Sequence, residues 1–260
     1  MTATALRRER EVMGMPVTIV VAGENPAAER AVDRAFEDFA LLDRTFSPFL
    51  TESAVSRINR GELAMSEADA LVRRGLELCR HYERATSGYF SAWTRDRLDP
   101  SGLVKGWAID RASFILDRHG SSDYFIEAGG DVQTRGVNEF AGAWRVGIRH
   151  PTRRSEVVRV ILAADLAVAT SGSYEKGDHI VDPHSGEPAR DWLSLTVVGP
   201  DILTADVYAT AAFAMGEPGL GFIENAPGYE AYAIDRNLVA RWTGGFDALC
   251  DLPARRRSPA

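Results

Sequence analysis

Asp206 and Thr210 are set into an otherwise apolar stretch, between the β-like run Leu195 to Val198 and the segment Ala211-Ala212-Phe213-Ala214-Met215-Gly216. The pattern predicts a strand followed by a helix. On a helix, residues four apart share one face. A carboxylate and a hydroxyl on one face offer two hard oxygens to a cation such as Mg²⁺. The competing reading is a helix N-terminus, with Thr204 as its cap and Asp206 favouring the dipole.

The rest of the chain alternates helices with short strands. Met15 to Val21 reads as a strand. Asn25-Pro26 opens a helix with Val32, Phe36, Phe39 and Phe46 on one stripe. A second helix is expected from Ser66, capped by its hydroxyl while Asp69 reaches back, to about Arg84. A third is expected from near Leu103 to Leu116, with Asp99 to Gly102 as its entry loop. Strands are expected over Tyr124 to Glu127, Trp144 to Ile148, Val157 to Leu162, Ala167 to Thr170 and Leu193 to Val198. Glu230 to Ile234 and Leu238 to Trp242 form a closing hairpin. Helices and mostly antiparallel strands in this order predict an α+β fold. The expected division is a disordered tail over residues 1–11, a single domain over 12–250 and a basic tail over 251–260.

The formal charge of −7 argues against nucleic acid as the main partner. The basic runs lie at the termini and read as frayed, solvated ends. Two cysteines make no disulfide framework, and Cys79 lies at helical spacing from Val72 and Leu76, as a buried thiol would. No run approaches a membrane span and no signal-peptide core is seen, so a cytoplasmic location is expected.

Four further stretches carry chemistry-bearing residues: Asp99-Pro100-Ser101-Gly102-Leu103-Val104-Lys105-Gly106, Gly129-Gly130-Asp131, Thr170-Ser171-Gly172, and His179-Ile180-Val181-Asp182-Pro183 ending at Gly186. With the Asp206 segment, they resemble in order and spacing the FAD:protein FMN transferase (ApbE) family. Met13-Gly14 and the segment Phe46-Ser47-Pro48-Phe49 extend the resemblance to about residues 12 to 246. It implies a T-fold-like core of mostly antiparallel sheets with packed helices. Where the family has G-x-F-D, this chain reads Gly88-Tyr89-Phe90-Ser91, with Ser91 in place of the aspartate. Members of the family are often exported lipoproteins.

The resemblance assigns Mg²⁺ to the Gly102 carbonyl, Asp206 and Thr210. It places Met13, Phe49, Phe90, Ser91, Asp99, Lys105 and Ile180 in a site for FAD, and it makes His179 the general base. Elementary chemistry accommodates each role. Helix N-termini attract anions, and Gly102 allows close approach. Lys105 near a helix start needs an anion to offset it, either Asp99 or a bound pyrophosphate; a surface Lys–Asp pair is the plainer alternative. His179, a residue type whose ordinary range lies near neutrality, could accept the hydroxyl proton with the neighbouring Asp178 to orient it, or else is pocket structure. Met13 and Phe49 suit an aromatic ligand or a core equally. Gly129-Gly130-Asp131 reads as a turn and pocket wall, not as chemistry. His81, His119 and His150 read as satisfied polar groups.

The function implied is Mg²⁺-dependent transfer of FMN from FAD to a Ser or Thr hydroxyl of a partner flavoprotein, with release of AMP. The same scaffold would suit an FAD pyrophosphatase giving FMN and AMP. A non-catalytic flavin-binding protein is the rival of another class, and it has no use for metal ligands or a base.

Overall fold

The computed structural model describes residues 5–251 apart from 95, 96, 154 and 174–179. The chain starts with two strands, β1 (Ala5–Val12) and β2 (Met15–Ala22), joined at Met13-Gly14. The expectation of a disordered tail over residues 1–11 is therefore corrected from Ala5 onward. The arginines of that segment remain solvated, but they lie on an ordered strand and form surface ion pairs. Arg8 pairs with Glu29 at 2.8 Å, Arg10 pairs with Asp33, and the Arg10 guanidinium lies 4.6 Å from the Phe36 ring centre.

Helix α1 (Ala28–Phe46) follows and buries Val32, Phe36, Phe39 and Phe46, the expected stripe. A short α2 (Ala54–Asn59) leads to α3 (Ala70–Ala85). The cap of α3 is Asp69, which accepts the Val72 amide at 2.9 Å, so the helix starts four residues after Ser66. Its Cys79 is buried, as the spacing predicts. The small hairpin β3 (Trp93–Thr94) and β4 (Arg97–Leu98) delivers the chain to α4 (Ser101–Arg118).

Strands β5 (Tyr124–Ala128), β6 (Asp131–Arg135), β7 (Trp144–Arg149), β8 (Val157–Ala163), β9 (Ala167–Gly172) and β10 (Trp192–Gly199) come next. Then follow α5 (Ile202–Met215), α6 (Pro218–Glu224), β11 (Glu230–Asp235) and β12 (Ala240–Trp242). Eight strands make one sheet in the order β1-β2-β5-β6-β9-β10-β11-β12, with every neighbouring pair antiparallel.

Alternation along these strands builds two cores, because successive side chains point to opposite faces. Ala167, Ala169, Val197, Ala231 and Ala233 join the core beneath α1, α3, α4 and α5. Val168, Val198, Tyr232 and Ile234 join a second core with the separate hairpin β7–β8. The expected α+β architecture is present. Helix α5 is apolar almost all round and is sandwiched between α4 and the sheet, as such a helix must be. Its cap is Asp201, whose carboxylate accepts the Thr204 amide at 2.8 Å; Thr204 itself bonds the Tyr82 hydroxyl. Among the described residues no helix is long and apolar enough to cross a membrane.

Candidate active site

Two helices and two strands bring remote polar residues to one buried place. Lys105 sits on the second turn of α4. Gly129 and Gly130, with φ of +58° and +93°, turn the chain from β5 into β6 and set Asp131 at the first position of that strand. A side chain at Gly129 would strike the Met15 sulfur at 2.7 Å. Asp206 and Thr210 lie one turn apart on α5, and Ser171 comes from β9.

The Lys105 ammonium lies against Asp131 Oδ2 and is 3.3 Å from Asp206 Oδ1. Asp206 Oδ2 accepts the Gly106 amide at 2.9 Å. Asp131 Oδ1 accepts the Thr170 amide at 3.0 Å, and the Ser171 and Thr210 hydroxyls meet at 3.2 Å. Asp131 and Asp206 are 1% and 4% exposed, whereas the Lys105 side chain keeps 24%. Burial disfavours the Lys105 charge, but the two carboxylates outweigh it and hold the ammonium above its usual pKa. Burial lifts the Asp206 carboxyl to about 7, with Lys105 opposing and Asp131 adding to the rise.

With Asp206 ionised, one ammonium faces two buried carboxylates and the place is net negative, a costly condition in a poorly hydrated interior that the raised Asp206 pKa reflects. Asp131 Oδ2 has no hydrogen bond of its own beyond its ion pair. No group of three His, Cys, Asp or Glu side chains among the described residues could hold a metal. The site's other hard donors are hydroxyl and carbonyl oxygens. The ionised Asp206 carboxylate and a hydroxyl one turn away are oxygen donors of the kind that suits a small divalent cation.

Several residues expected in the site are placed differently. Lys105 does not pair with Asp99, whose exposed carboxylate accepts the Ser101 amide at 3.1 Å and the Ser101 hydroxyl. Asp131, expected as pocket wall, is part of the charged cluster. Gly102 lies in the first turn of α4, and a Cβ there would stand 3.4 Å from the buried Phe90 ring. Ser91 donates to Glu83 Oε1 at 3.1 Å. Met13 is half-buried in the β1–β2 turn with φ +57°. Phe49 is 91% exposed on a depression of about 360 Å³ that includes Ser56, Asn59, Arg60 and Arg97, and whose lining shares no residue with the cluster. Ile180 is half-buried against the helical core. His179 and Asp178 lie outside the described residues. The loop after them folds on itself, Asp182 accepting the His184 amide at 2.9 Å, and His184 Nε2 meets the Ser87 carbonyl at 3.0 Å.

Residues 92–233 match the ApbE family, a span that holds Lys105, Asp131, Ser171, Asp206 and Thr210. The chain is 31% identical over 158 residues to the FAD:protein FMN transferase of Vibrio cholerae serotype O1, covering 52% of this chain and 47% of the relative. It is 28% identical over 149 residues to the Escherichia coli K12 protein of the same name, covering 54% and 42%. The chain thus spans about half the length of the curated relatives it matches. Its fold is similar to that of the ApbE protein from Thermotoga maritima, with a TM-score of 0.85, 23% identity, and 95% and 99% of the two chains covered. Flavinyl transferase ApbE from Pseudomonas stutzeri in its apo form gives a TM-score of 0.82 at 21% identity, with 96% and 98% covered. With its cluster residues inside the matched span and its fold shared along nearly the whole length, this chain belongs to the ApbE family.

Proposed function

We propose that the chain is a Mg²⁺-dependent FAD:protein FMN transferase acting on a Ser or Thr hydroxyl of a partner flavoprotein. The observation that carries this reading is the buried cluster of Lys105, Asp131 and Asp206, with Thr210 turned to Ser171 beside it. Four motifs far apart in sequence supply these residues. A flavin-binding protein without turnover has no need of such a charged, metal-suited place.

In this reading Asp206, Thr210 and the Gly102 carbonyl hold the cation. The Gly106 amide, the helical partner of that carbonyl, also serves the Asp206 carboxylate, so the Gly102 oxygen competes for its donor. Bound there, Mg²⁺ supplies charge neutralisation to the pyrophosphate. The amides at the start of α4 face the same anion. Phe90, Ser91, Asp99, Lys105, Met13, Phe49 and Ile180 border the dinucleotide. The acceptor hydroxyl oxygen forms a bond to the phosphorus on the riboflavin side, and the phosphoanhydride bond breaks. AMP leaves with the bridging oxygen and its electron pair. In this reading the hydroxyl proton passes to His179. Positioning and charge balance do most of the work, as in other phosphoryl transfers.

The test is incubation with FAD, Mg²⁺ and candidate acceptor proteins, reading AMP by chromatography and flavin fluorescence on the denatured acceptor. Transfer gives AMP and protein-bound flavin in equal amounts. AMP with free FMN, regardless of acceptor, identifies a pyrophosphatase. FAD bound and recovered intact identifies a binding protein.

A further inference from the structure

Glu83 lies half-buried near the end of α3. Its Oε1 accepts the Ser91 hydroxyl at 3.1 Å. The Ser91 oxygen in turn accepts the Trp93 amide at 3.1 Å, which commits its single proton to Glu83. Among the described residues Glu83 has no cationic partner, and its second oxygen has no hydrogen bond. One carboxylate oxygen is thus held by Ser91 while the other is left to accept from water or from a ligand.

Its surroundings place it at the entry to α4. Phe90, next to Ser91, packs toward Gly102. Ala92, on the other side, accepts the Asp99 amide at 2.7 Å. The carboxylate therefore borders the loop that leads into the helix start proposed for the pyrophosphate. It can only accept hydrogen bonds, and it repels phosphate. The ligand groups it suits are N–H and O–H donors away from the phosphates. Position 91 is also where this chain has Ser91 in place of the aspartate of the G-x-F-D pattern.

We propose that Glu83, held by Ser91, is a specificity-determining residue of the FAD pocket, supplying from α3 a carboxylate that accepts hydrogen bonds from N–H or O–H groups of the dinucleotide. This rests on the FAD-dependent function proposed above. The Ser91 hydroxyl aims the carboxylate, and the Trp93 amide holds the hydroxyl in a turn that an aspartate side chain also forms.

The experiment is titration of the purified full chain with FAD, followed by flavin fluorescence, for wild type, Glu83→Ala, Glu83→Gln and the double variant Glu83→Ala/Ser91→Asp. Loss of a charge-assisted hydrogen bond weakens binding by about tenfold or more. Glu83→Ala is expected to show that loss with an unchanged melting temperature. Glu83→Gln should fall between, and the double variant should regain most of the affinity. Parallel titrations with ADP and FMN identify the half of FAD involved, since affinity for that half alone falls. Wild-type affinity in Glu83→Ala, or a loss that the double variant leaves intact, overturns the proposal. A wild-type chain that binds no FAD overturns the FAD-dependent function as well, so the two failures are distinguishable.

Discussion

The Gly106 amide donates to Asp206 Oδ2 at 2.9 Å, and a Cβ on Gly106 would stand 2.9 Å from the Asp206 Cβ and 3.1 Å from the Ile202 carbonyl oxygen. Helices α4 and α5 meet here because one of them carries no side chain. The contact that fixes the helix pair also aims the carboxylate of the candidate site.

Gly106→Ala is therefore expected to force the helices apart, at a cost of about 1–3 kcal/mol for overpacking. Urea unfolding measures that cost directly. The flavin-transfer rate should fall with it, because Asp206 moves with α5. A wild-type unfolding midpoint would show that the helices can absorb the methyl group.

Lys105→Met should be more damaging, because it leaves Asp131 and Asp206 buried without their cation. Breaking such a pair costs about 3–5 kcal/mol. Thermal unfolding in the presence of a chelator should show the loss, and Asp131→Asn in the same chain should recover part of it. Mg²⁺ should then stabilise Lys105→Met more than it stabilises the wild type. Equal stabilisation of both would place the cation elsewhere.

Cys79 provides a pH test outside the charged cluster of Lys105, Asp131 and Asp206. Burial, with the Glu83 carboxylate adding to it, pushes the thiol from 9.0 up to about 12. The unfolded chain releases this proton first. The stabilising contribution is thus complete below about 9 and is lost as pH rises toward 12. Cys79→Ala should flatten that part of the stability profile. In the native wild type, the thiol should resist alkylation at neutral pH and react once urea unfolds the chain.

His179→Ala should lower turnover by about 10²–10⁴-fold while FAD affinity changes little, as for loss of a positioned base. The rate should also lose its dependence on a group titrating near neutrality. A variant that loses FAD but keeps its turnover at saturation assigns His179 to binding.

Much of this fold is legible in the sequence where one physical signal dominates. The stripe from Val32 to Phe46 marks α1, and alternation marks β9 and β10. Strand β6 escapes because Asp-Val-Gln-Thr-Arg looks exposed, yet four of its five residues are buried. Their polar groups find partners in the fold, as Thr134 does at the Leu166 carbonyl. Ser66 and Asp69 both have cap chemistry, and local sequence does not choose between them. For the site, the i, i+4 spacing of Asp206 and Thr210 is readable because a helix enforces it. The partners of Lys105 are not, because Asp99 is near in sequence whereas Asp131 and Asp206 arrive through sheet and helix packing. Gly106 gives no sign in isolation, since its role lies in the closeness of another helix.

The most direct test of the central claim is the rate of AMP release from FAD, with Mg²⁺ and an acceptor protein, by wild type and Asp206→Ala. The account predicts Mg²⁺-dependent release by the wild type, abolished by chelation, and none above background from a folded Asp206→Ala chain. A variant that releases AMP at the wild-type rate, under strict chelation, would contradict it.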